Sequence, residues 1–338
     1  MQVSEEAQNV GASSADTEPA PKQGIVFMAS GQGSQKPGMG ASLLAVPEVA
    51  ETFAYASDVL GKDIAALITA QAPETAEAAE AAEALNETRN AQAAIATLSI
   101  GIGRALQARG VGPAVLLGFS LGQISALALA SMVSLEDAFR IIDVRSSLMN
   151  EAAQAKPGAM SALLKADPDA VAALCEACAQ DQVLVPANYN SPGQIVISGE
   201  VDAVTRAEEA WKAQGGRASR LATQGAFHSP LMQSAAVQFA EFLQTVDFAD
   251  PQIPVLCNTD ANYLDKQTIR QRLADHLTHP VLFDQSVQKL RGEGYGVFAE
   301  IGFGGVLQGL VKRIDKDTTR FCIQDEASME EFVASCQA

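Results

Sequence analysis

Apolar residues occur along the chain in two alternating arrangements, short continuous runs and longer stretches with helical spacing. The runs at 24–29 and 114–117 are too short for helices and predict buried strands, whereas residues 90–107, 121–131 and 137–153 have the pattern of helices. Strands that alternate with helices in this way predict an α/β unit with a parallel sheet.

The same alternation returns in the last third of the chain. Strands are predicted near 255–257 and 297–300, and helices near 269–277 and 283–291. The large α/β unit is therefore expected to consist of two separate stretches of sequence.

Between these stretches the order of elements changes. Strands are predicted at 158–164, 183–188, 194–198 and 217–222, with helices at 167–179 and 201–214 and a turn at 190–193. The order βαββαβ over about 65 residues is that of a ferredoxin-like unit. We expect it to be a small subdomain inserted into the large one, with a cleft between them.

A GFSLG motif at residues 118–122 lies between the second predicted strand and the helix that follows it. GxSxG between a strand and a helix is the pattern of a nucleophile elbow, whose glycines permit a tight turn. The serine then lies at a helix N-terminus, where backbone N–H groups stabilise an oxyanion. Ser120 is therefore the candidate nucleophile.

With this motif, the sequence predicts an α/β fold with an α/β-hydrolase-like large domain formed by residues 23–152 and 223–318. The ferredoxin-like subdomain is expected at 153–222, and 319–338 is expected to be a C-terminal extension. Residues 1–22 are rich in Ala, Ser and Glu and have no apolar core, which predicts a disordered tail.

Composition narrows the classes of function. Apolar residues make up 48% of the 338 residues, which indicates a packed globule, and the net charge of −17 argues against nucleic acid as a partner.

The five cysteines are scattered, and the CxxC of Cys175 and Cys178 lies in an Ala-rich helical pattern, so we expect neither disulfides nor a metal site. Residues 111–135 carry no charge, but glycines and polar residues interrupt them as in a buried strand and helix. We expect a cytoplasmic protein with no secretory signal and no membrane span.

A serine nucleophile needs a base, and the chain has only three histidines. His228 lies in a loop after the predicted subdomain, bounded by turn-forming residues. His276 and His279 flank a helix end before Pro280, where a histidine often serves only as a solvated or capping residue. His228 is therefore the candidate base.

The helix predicted at 137–153 carries an arginine, Arg145, in the middle of its apolar stripe. A buried guanidinium needs an anionic partner. That partner is either a structural Asp or Glu, or the carboxylate of a substrate, which arginine can bind through two parallel hydrogen bonds. The sequence leaves both open.

The GQGSQ loop at 31–35 follows the first strand. It fails as a dinucleotide fingerprint because Lys36 occupies the third glycine position, and it lacks the GK[ST] of a P-loop. The backbone N–H of Gln32 could be the second donor of an oxyanion hole. An ordinary flexible loop is an equal interpretation from spacing alone.

In these motifs the sequence resembles the malonyl-CoA:acyl carrier protein transacylases of fatty acid synthesis and the related acyltransferase domains of polyketide synthases. The resemblance extends from Gly24 to about Ile314. Its motifs, in chain order, are the 31–35 loop, Leu85, Thr88 and Gln92, the serine elbow, Arg145, residues 188–199, FHSPLM at 227–232, and Glu300 to Leu307.

The resemblance implies a role for each matching residue. Ser120 would carry the acyl group, with His228 as its base. The backbone N–H groups of Gln32 and Leu121 would form the oxyanion hole, and Arg145 would bind the free malonyl carboxylate.

The family also implies that a main-chain carbonyl orients the base, here that of His276, so no Asp is required. Phe227 before the base is similar to the malonyl-selective members. Further pocket positions implied are Phe119, Gln92 and Asn190.

The activity implied is transfer of a malonyl group from malonyl-CoA to the phosphopantetheine thiol of acyl carrier protein, through a Ser120 acyl-enzyme, with no bound cofactor. We expect a monomer. Because the carrier protein is itself expected to be acidic, this acidic chain needs a local basic surface. Lys312 and Arg313, thought to follow the last core helix, and Arg217 with Arg220 are candidates, although ordinary solvated charges explain them equally well.

Two other functions stay open. A serine esterase or thioesterase would use the same elbow with Asp137 or Asp143 as the acid. A carrier-protein-binding module with impaired catalysis is suggested by two departures from the usual GHSxGE pattern, Phe119 in place of His and Gln123 in place of Glu.

Overall fold

The computed structural model describes residues 22–69, 82–223 and 225–337. The tail predicted at 1–22 therefore lies outside the described residues except for Lys22, which begins the first strand.

The sheet of the large α/β unit has five strands, all paired in parallel, in the order β10-β9-β1-β2-β7. Its strands are β1 (Lys22–Ala29), β2 (Val115–Gly118), β7 (Val255–Leu256), β9 (Tyr295–Ile301) and β10 (Thr319–Ile323). The predicted α/β fold with a parallel sheet is confirmed. All four residues of β2 are buried, as expected for a central strand covered on both faces.

Helices pack against this sheet either directly or through other helices. They are α1 (Pro47–Leu60), α2 (Ile64–Thr69), α3 (Thr88–Ala108), α4 (Gly122–Leu129), α5 (Leu135–Ala155), α8 (Gln233–Leu243), α9 (Ile269–Asp275), α10 (Phe283–Gly292), α11 (Val306–Ile314) and α12 (Glu326–Gln337). Helix α3 is buried along most of its length because it packs against α1, α4 and α5.

The second sheet has the order β6-β3-β5-β4-β8. It comprises β3 (Gly158–Ala166), β4 (Leu184–Ser191), β5 (Gly193–Glu200), β6 (Arg217–Arg220) and β8 (Val281–Leu282), with helices α6 (Pro168–Ala179) and α7 (Val201–Ala213) between its strands. Strands β3 to β6 pair antiparallel, whereas β8 adds to β4 in parallel. A strand from the last third of the chain thus joins this second sheet.

The hairpin between β4 and β5 is tighter than the sequence predicted. The expected turn at 190–193 is wrong at its first two positions, because the antiparallel ladder continues to the pair Ser191 and Gln194. Only Pro192 lies between the two strands, and Gly193, which begins β5, has φ +78°. Asn190 therefore lies in a strand.

Residues 319–337 pack into the large unit. Strand β10 pairs with β9, and Phe332 of α12 is buried against Phe27 and Phe321, with ring centroids 6.3 and 4.8 Å away. The segment expected to be a C-terminal extension is a continuation of the large sheet and its helical cover.

Helix α11 extends further than expected. Lys312 and Arg313 belong to its last turn, and the prediction that they follow the last core helix is wrong. Basic side chains there interact favourably with the C-terminal end of the helix dipole.

Cys175 and Cys178 lie in α6, and all five cysteines are free thiols. Within the described ranges, no group of three or more His, Cys, Asp or Glu residues is placed to hold a metal ion. None of the helices described is both long and apolar enough to cross a membrane.

Candidate active site

The turn that presents Ser120 is strained and tightly packed. Ser120 has φ +49°, in the left-handed region that L-residues rarely adopt. A Cβ at Gly118 would lie 2.0 Å from the carbonyl carbon of Gly122, and one at Gly122 would lie 2.1 Å from the carbonyl oxygen of Ala29. Both glycines of the motif are therefore needed for the turn to close against β1, and Ser120 is held just before α4.

The structure brings Ser120 and His228 together. Ser120 Oγ lies 2.8 Å from His228 Nε2. On the other side of the ring, His228 Nδ1 lies 2.9 Å from the carbonyl oxygen of His276 and 3.2 Å from that of His279. Carbonyls only accept hydrogen bonds, so Nδ1 carries the proton and Nε2 is free to accept the serine proton. The carbonyl of His279 is an acceptor that the sequence did not indicate.

The surroundings keep His228 neutral. Burial and the nearby Arg145 charge lower its pKa to about 4, although the two carbonyl contacts act in the opposite direction. A neutral imidazole with a bare Nε2 is the form that can act as a base at neutral pH.

Arg145 is buried beside the serine. It is 1% exposed, its Nη1 donates to Gln92 Oε1 at 2.7 Å, and its Nη2 donates to Ser120 Oγ at 3.2 Å. Its Nε has no hydrogen-bond partner, and no carboxylate in the described chain forms an ion pair with it. Burial lowers the pKa of Arg145 to about 10, so the group stays cationic at neutral pH. The structural Asp or Glu considered as its partner is not found among the described residues.

These groups border a cavity of about 800 Å³ between the two sheets. Gln92 donates from Nε2 to Gln32 Oε1 at 3.2 Å, which connects the GQGSQ loop to the arginine. Asn190 is buried with an unpartnered Oδ1, and Phe227 is buried in the cavity wall. The cavity wall is therefore partly apolar and carries a few polar groups without protein partners.

Phe119 occupies the position beside the nucleophile where the resemblance expects a histidine. It is half-buried, borders the cavity, and packs edge-on against Phe283 with ring centroids 5.5 Å apart. The ring therefore fills an apolar contact with α10 and contributes no hydrogen bond to the site.

The backbone N–H groups of Gln32 and Leu121 have no acceptor among the described residues. The loop that carries Gln32 contacts the elbow so closely that a Cβ at Gly31 would lie 2.6 Å from the carbonyl oxygen of Phe119. The N–H of Ser120 itself donates to Asn258 Oδ1 at 2.6 Å and is not free. Each of the two segments that meet at the serine therefore offers an unpaired N–H group, that of Gln32 on the loop and that of Leu121 on the elbow.

The acids suggested for a hydrolase lie elsewhere. Asp143 pairs with Arg89 at 2.7 Å, and Asp137 pairs with Arg140 at 2.9 Å at the start of α5. Neither contacts His228, whose Nδ1 faces two carbonyls.

Two buried residues near the elbow were not given a role from the sequence. Asn258 follows β7 and contacts the turn directly. Glu300 at the end of β9 accepts from Ser30 Oγ at 3.3 Å and from the Gln308 N–H at 2.9 Å, and burial raises its pKa to about 7. In the sequence, both residues are marked only as polar positions in or next to a short apolar strand.

Comparison with known proteins identifies the family. Residues 26–336 match the family model described as the acyl transferase domain, and the chain belongs to this family. The malonyl CoA-acyl carrier protein transacylase of Salmonella typhimurium is 40% identical over 309 residues, which cover 90% of this chain and 97% of the relative. That of Bacillus subtilis is 38% identical over 310 residues, with 90% and 95% covered.

Solved structures share the fold over the same length. The malonyl-CoA:acyl carrier protein transacylase of Xanthomonas oryzae is 39% identical with a TM-score of 0.87, covering 93% of this chain and 99% of that one. A malonyl-transacylase in complex with its type II PKS acyl-carrier protein is also 39% identical, with a TM-score of 0.86 and coverage of 92% and 99%.

Proposed function

We propose that this chain is a malonyl-CoA:acyl carrier protein transacylase that carries the malonyl group on Ser120. The observation that carries the proposal is Arg145, a buried guanidinium with no carboxylate partner in the described chain, 3.2 Å from the nucleophile. An unpaired buried charge is costly to a fold, and a malonyl thioester would bring a free carboxylate to the same place as its reacting carbonyl. The transacylase names of the relatives agree with this reading.

The first half-reaction follows from the hydrogen bonds around Ser120. As Oγ attacks the thioester carbonyl carbon, its proton passes to His228 Nε2, 2.8 Å away. The N–H groups of Gln32 and Leu121 stabilise the oxyanion that forms. The C–S bond then breaks, and His228 gives the proton to the departing sulfur of CoA.

The second half-reaction is the reverse with a different thiol. His228 takes the proton of the phosphopantetheine thiol of acyl carrier protein, and the sulfur attacks the carbonyl carbon of the Ser120 ester. The C–O bond to Ser120 then breaks, and His228 returns the proton to Oγ. No acidic side chain is required, because the carbonyls of His276 and His279 hold the imidazole in the needed tautomer.

Some residues of the cavity orient the arginine that binds the substrate carboxylate, and others limit which acyl groups fit. Gln92 holds Arg145 through its Oε1 at 2.7 Å and thereby positions the carboxylate-binding group. Phe227 and Phe119 limit the room for the acyl chain, and Asn190 offers an unpartnered acceptor to the thiol-bearing arm.

Intact-protein mass after mixing with malonyl-CoA tests the acyl-enzyme. We expect the mass of one malonyl group on the wild-type chain and none on Ser120→Ala. Ser125→Ala is the matched control, because Ser125 is a buried serine of α4 with no hydrogen-bond partner in the described chain. An adduct that persists in Ser120→Ala would refute the proposal.

The proposed acceptor is an acyl carrier protein, the partner present in one of the solved relatives. Arg313 borders the cavity and donates to Gln194 Oε1 at 2.8 Å, so α11 is placed to meet a carrier whose arm enters there. Arg220 is already paired with Glu208 at 2.8 Å, which makes it the weaker candidate. Lys312→Glu should raise KM for the carrier and leave acylation by malonyl-CoA unchanged, because Lys312 is exposed on α11 and, unlike Arg313, does not border the cavity.

The proposal includes a domain organisation. A large α/β-hydrolase-like domain would contain 23–152 and 223–337, and a ferredoxin-like subdomain would occupy 153–222, supported by the strand order β6-β3-β5-β4 around α6 and α7. We also propose that the protein is a cytoplasmic monomer with no bound cofactor. Sedimentation of the purified chain tests whether it is a monomer.

A further inference from the structure

Asn258 connects both sides of the serine elbow. Its Oδ1 accepts the N–H of Ser120 at 2.6 Å, and its Nδ2 donates to the carbonyl of Gly118 at 2.5 Å. These two groups flank Phe119, so one amide closes a ring across the strained turn. The contact joins positions 138 and 140 residues apart in sequence.

Asn258 is itself fixed on its backbone. Its N–H donates to Gln123 Oε1 at 2.8 Å, and its carbonyl accepts the Leu282 N–H at 2.7 Å. It is 1% exposed. Hydrogen bonds from α4 and β8 therefore fix the backbone of Asn258, whose side chain in turn bonds to the serine elbow.

The chemistry of the turn calls for an amide and no other side chain of this size. One oxygen must accept from Ser120 and one nitrogen must donate to Gly118, which only a carboxamide does at neutral pH. Ser120 at φ +49° pays strain energy that its surroundings must offset. Its own N–H is engaged by Asn258, whereas those of Gln32 and Leu121 have no acceptor and can donate to an oxyanion.

We propose that Asn258 is a positioning residue, which fixes Ser120 Oγ and the oxyanion donors in their reactive arrangement through its paired hydrogen bonds to Gly118 and Ser120. The inference rests on the proposed function for the reaction it serves. It gives Gln123 a role as well, because the oxygen of that amide, in place of the family's usual carboxylate, orients the Asn258 backbone.

Asn258→Asp tests the proposal with almost no change in shape. An ionised Asp would place a carboxylate oxygen against the Gly118 carbonyl, whereas a protonated Asp donates to it as the amide does. Burial disfavours the ionised form, so protonation is expected within the accessible pH range. The variant should therefore be slow at high pH and recover as the pH falls.

The experiment measures the rate at which a neutral fluorophosphonate labels Ser120 between pH 5 and 8. At each pH, the rate of the variant is divided by the rate of the wild-type protein. We expect a loss of about 100-fold at pH 8, the size of effect that a small misplacement of a reacting group produces. The ratio should rise toward one at pH 5. Asn262→Asp, a substitution at an exposed position of the adjoining loop, should label like wild type at every pH.

A wild-type rate in Asn258→Asp at all pH values, or a deficit that does not change with pH, would overturn the proposal. Asn258→Ala, with a melting curve to establish that it folds, should be slow at every pH. If it does not fold, the Asp variant decides alone. The probe needs no acyl donor, so a wild-type protein that labels with phosphonate but not with malonyl-CoA would refute the proposed function and leave the test of Asn258 intact.

Discussion

Arg145 donates from Nη2 to the Oγ of Ser120 at 3.2 Å, so the one buried arginine of α5 touches the candidate nucleophile directly. The same oxygen faces His228 Nε2. An acyl group on Ser120 therefore lies within reach of the Arg145 cation. The carboxylate of a malonyl group can pair with this cation, whereas the methyl of an acetyl group cannot.

Replacing Arg145 should change selectivity. In Arg145→Ala we expect kcat/KM for acylation by malonyl-CoA to fall by about 100-fold or more, because removing one partner of a buried ion pair costs several kcal/mol. Acylation by acetyl-CoA should change much less. Competition between the two thioesters, read by intact mass, measures the ratio. Arg140→Ala, an exposed arginine of the same helix, is the control, and unchanged selectivity in Arg145→Ala would remove the residue from the site.

The pH dependence of labelling should report the depressed pKa of His228. Burial and Arg145 hold this pKa near 4, below the ordinary value of 6.5, so the neutral base persists to lower pH than usual. Labelling of Ser120 by a neutral phosphonate should stay constant from pH 8 to about 5 and fall below that. In Arg145→Gln the acid limb should move to higher pH, since a neighbouring positive charge has been removed. A wild-type limb near 6.5 would contradict the assignment.

Glu300 should make stability fall as the pH rises. Burial raises its pKa to about 7 from 4.5, so between these values the folded chain holds a proton that the unfolded chain releases. The free energy of unfolding should therefore decrease with pH across this window, by about 2 kcal/mol for this group. In Glu300→Gln, which cannot ionise, the decrease should be smaller by that amount. Denaturant titrations at pH 5 and 7.5 measure it, with exposed Glu151→Gln as control. Equal slopes in all three proteins would be the contrary result.

The C-terminal helix should be needed for stability. Phe332 is 1% exposed and packs on Phe27 of the central strand β1, so Phe332→Ala should lower the free energy of unfolding by about 3–5 kcal/mol. Glu330→Ala on the exposed side of α12 should change it little. A loss below about 1 kcal/mol in Phe332→Ala would mean that the cavity collapses or that α12 contributes little.

The sequence predicted the parts of the site that depend on local pattern. The elbow of Ser120 follows from glycine spacing between a strand and a helix, and Arg145 stands out because it interrupts an apolar stripe. His228 followed from having only three histidines to choose from. The structure places all three in contact.

What the sequence could not predict depends on pairing between distant segments. The amide of Asn258 meets Gly118 and Ser120 across nearly 140 residues, and nothing around it in the chain distinguishes it from a loop asparagine. The His279 carbonyl is a backbone group, which side-chain patterns do not report. Strand β8 has two residues, too few for any periodicity, and exists because β4 offers an open edge.

Strand β8 has a consequence for the construction of hybrid enzymes. It pairs with Asn188 and Tyr189 of β4 in the second sheet through Val281 and Leu282, directly after the two histidines whose carbonyls hold His228. A chimera that exchanges only the contiguous small subdomain would place a foreign β4 against a native β8. The mismatch would displace the two carbonyls that hold His228, and the pocket would change with them. Swaps intended to alter acyl choice should therefore transplant the 276–282 segment along with the subdomain.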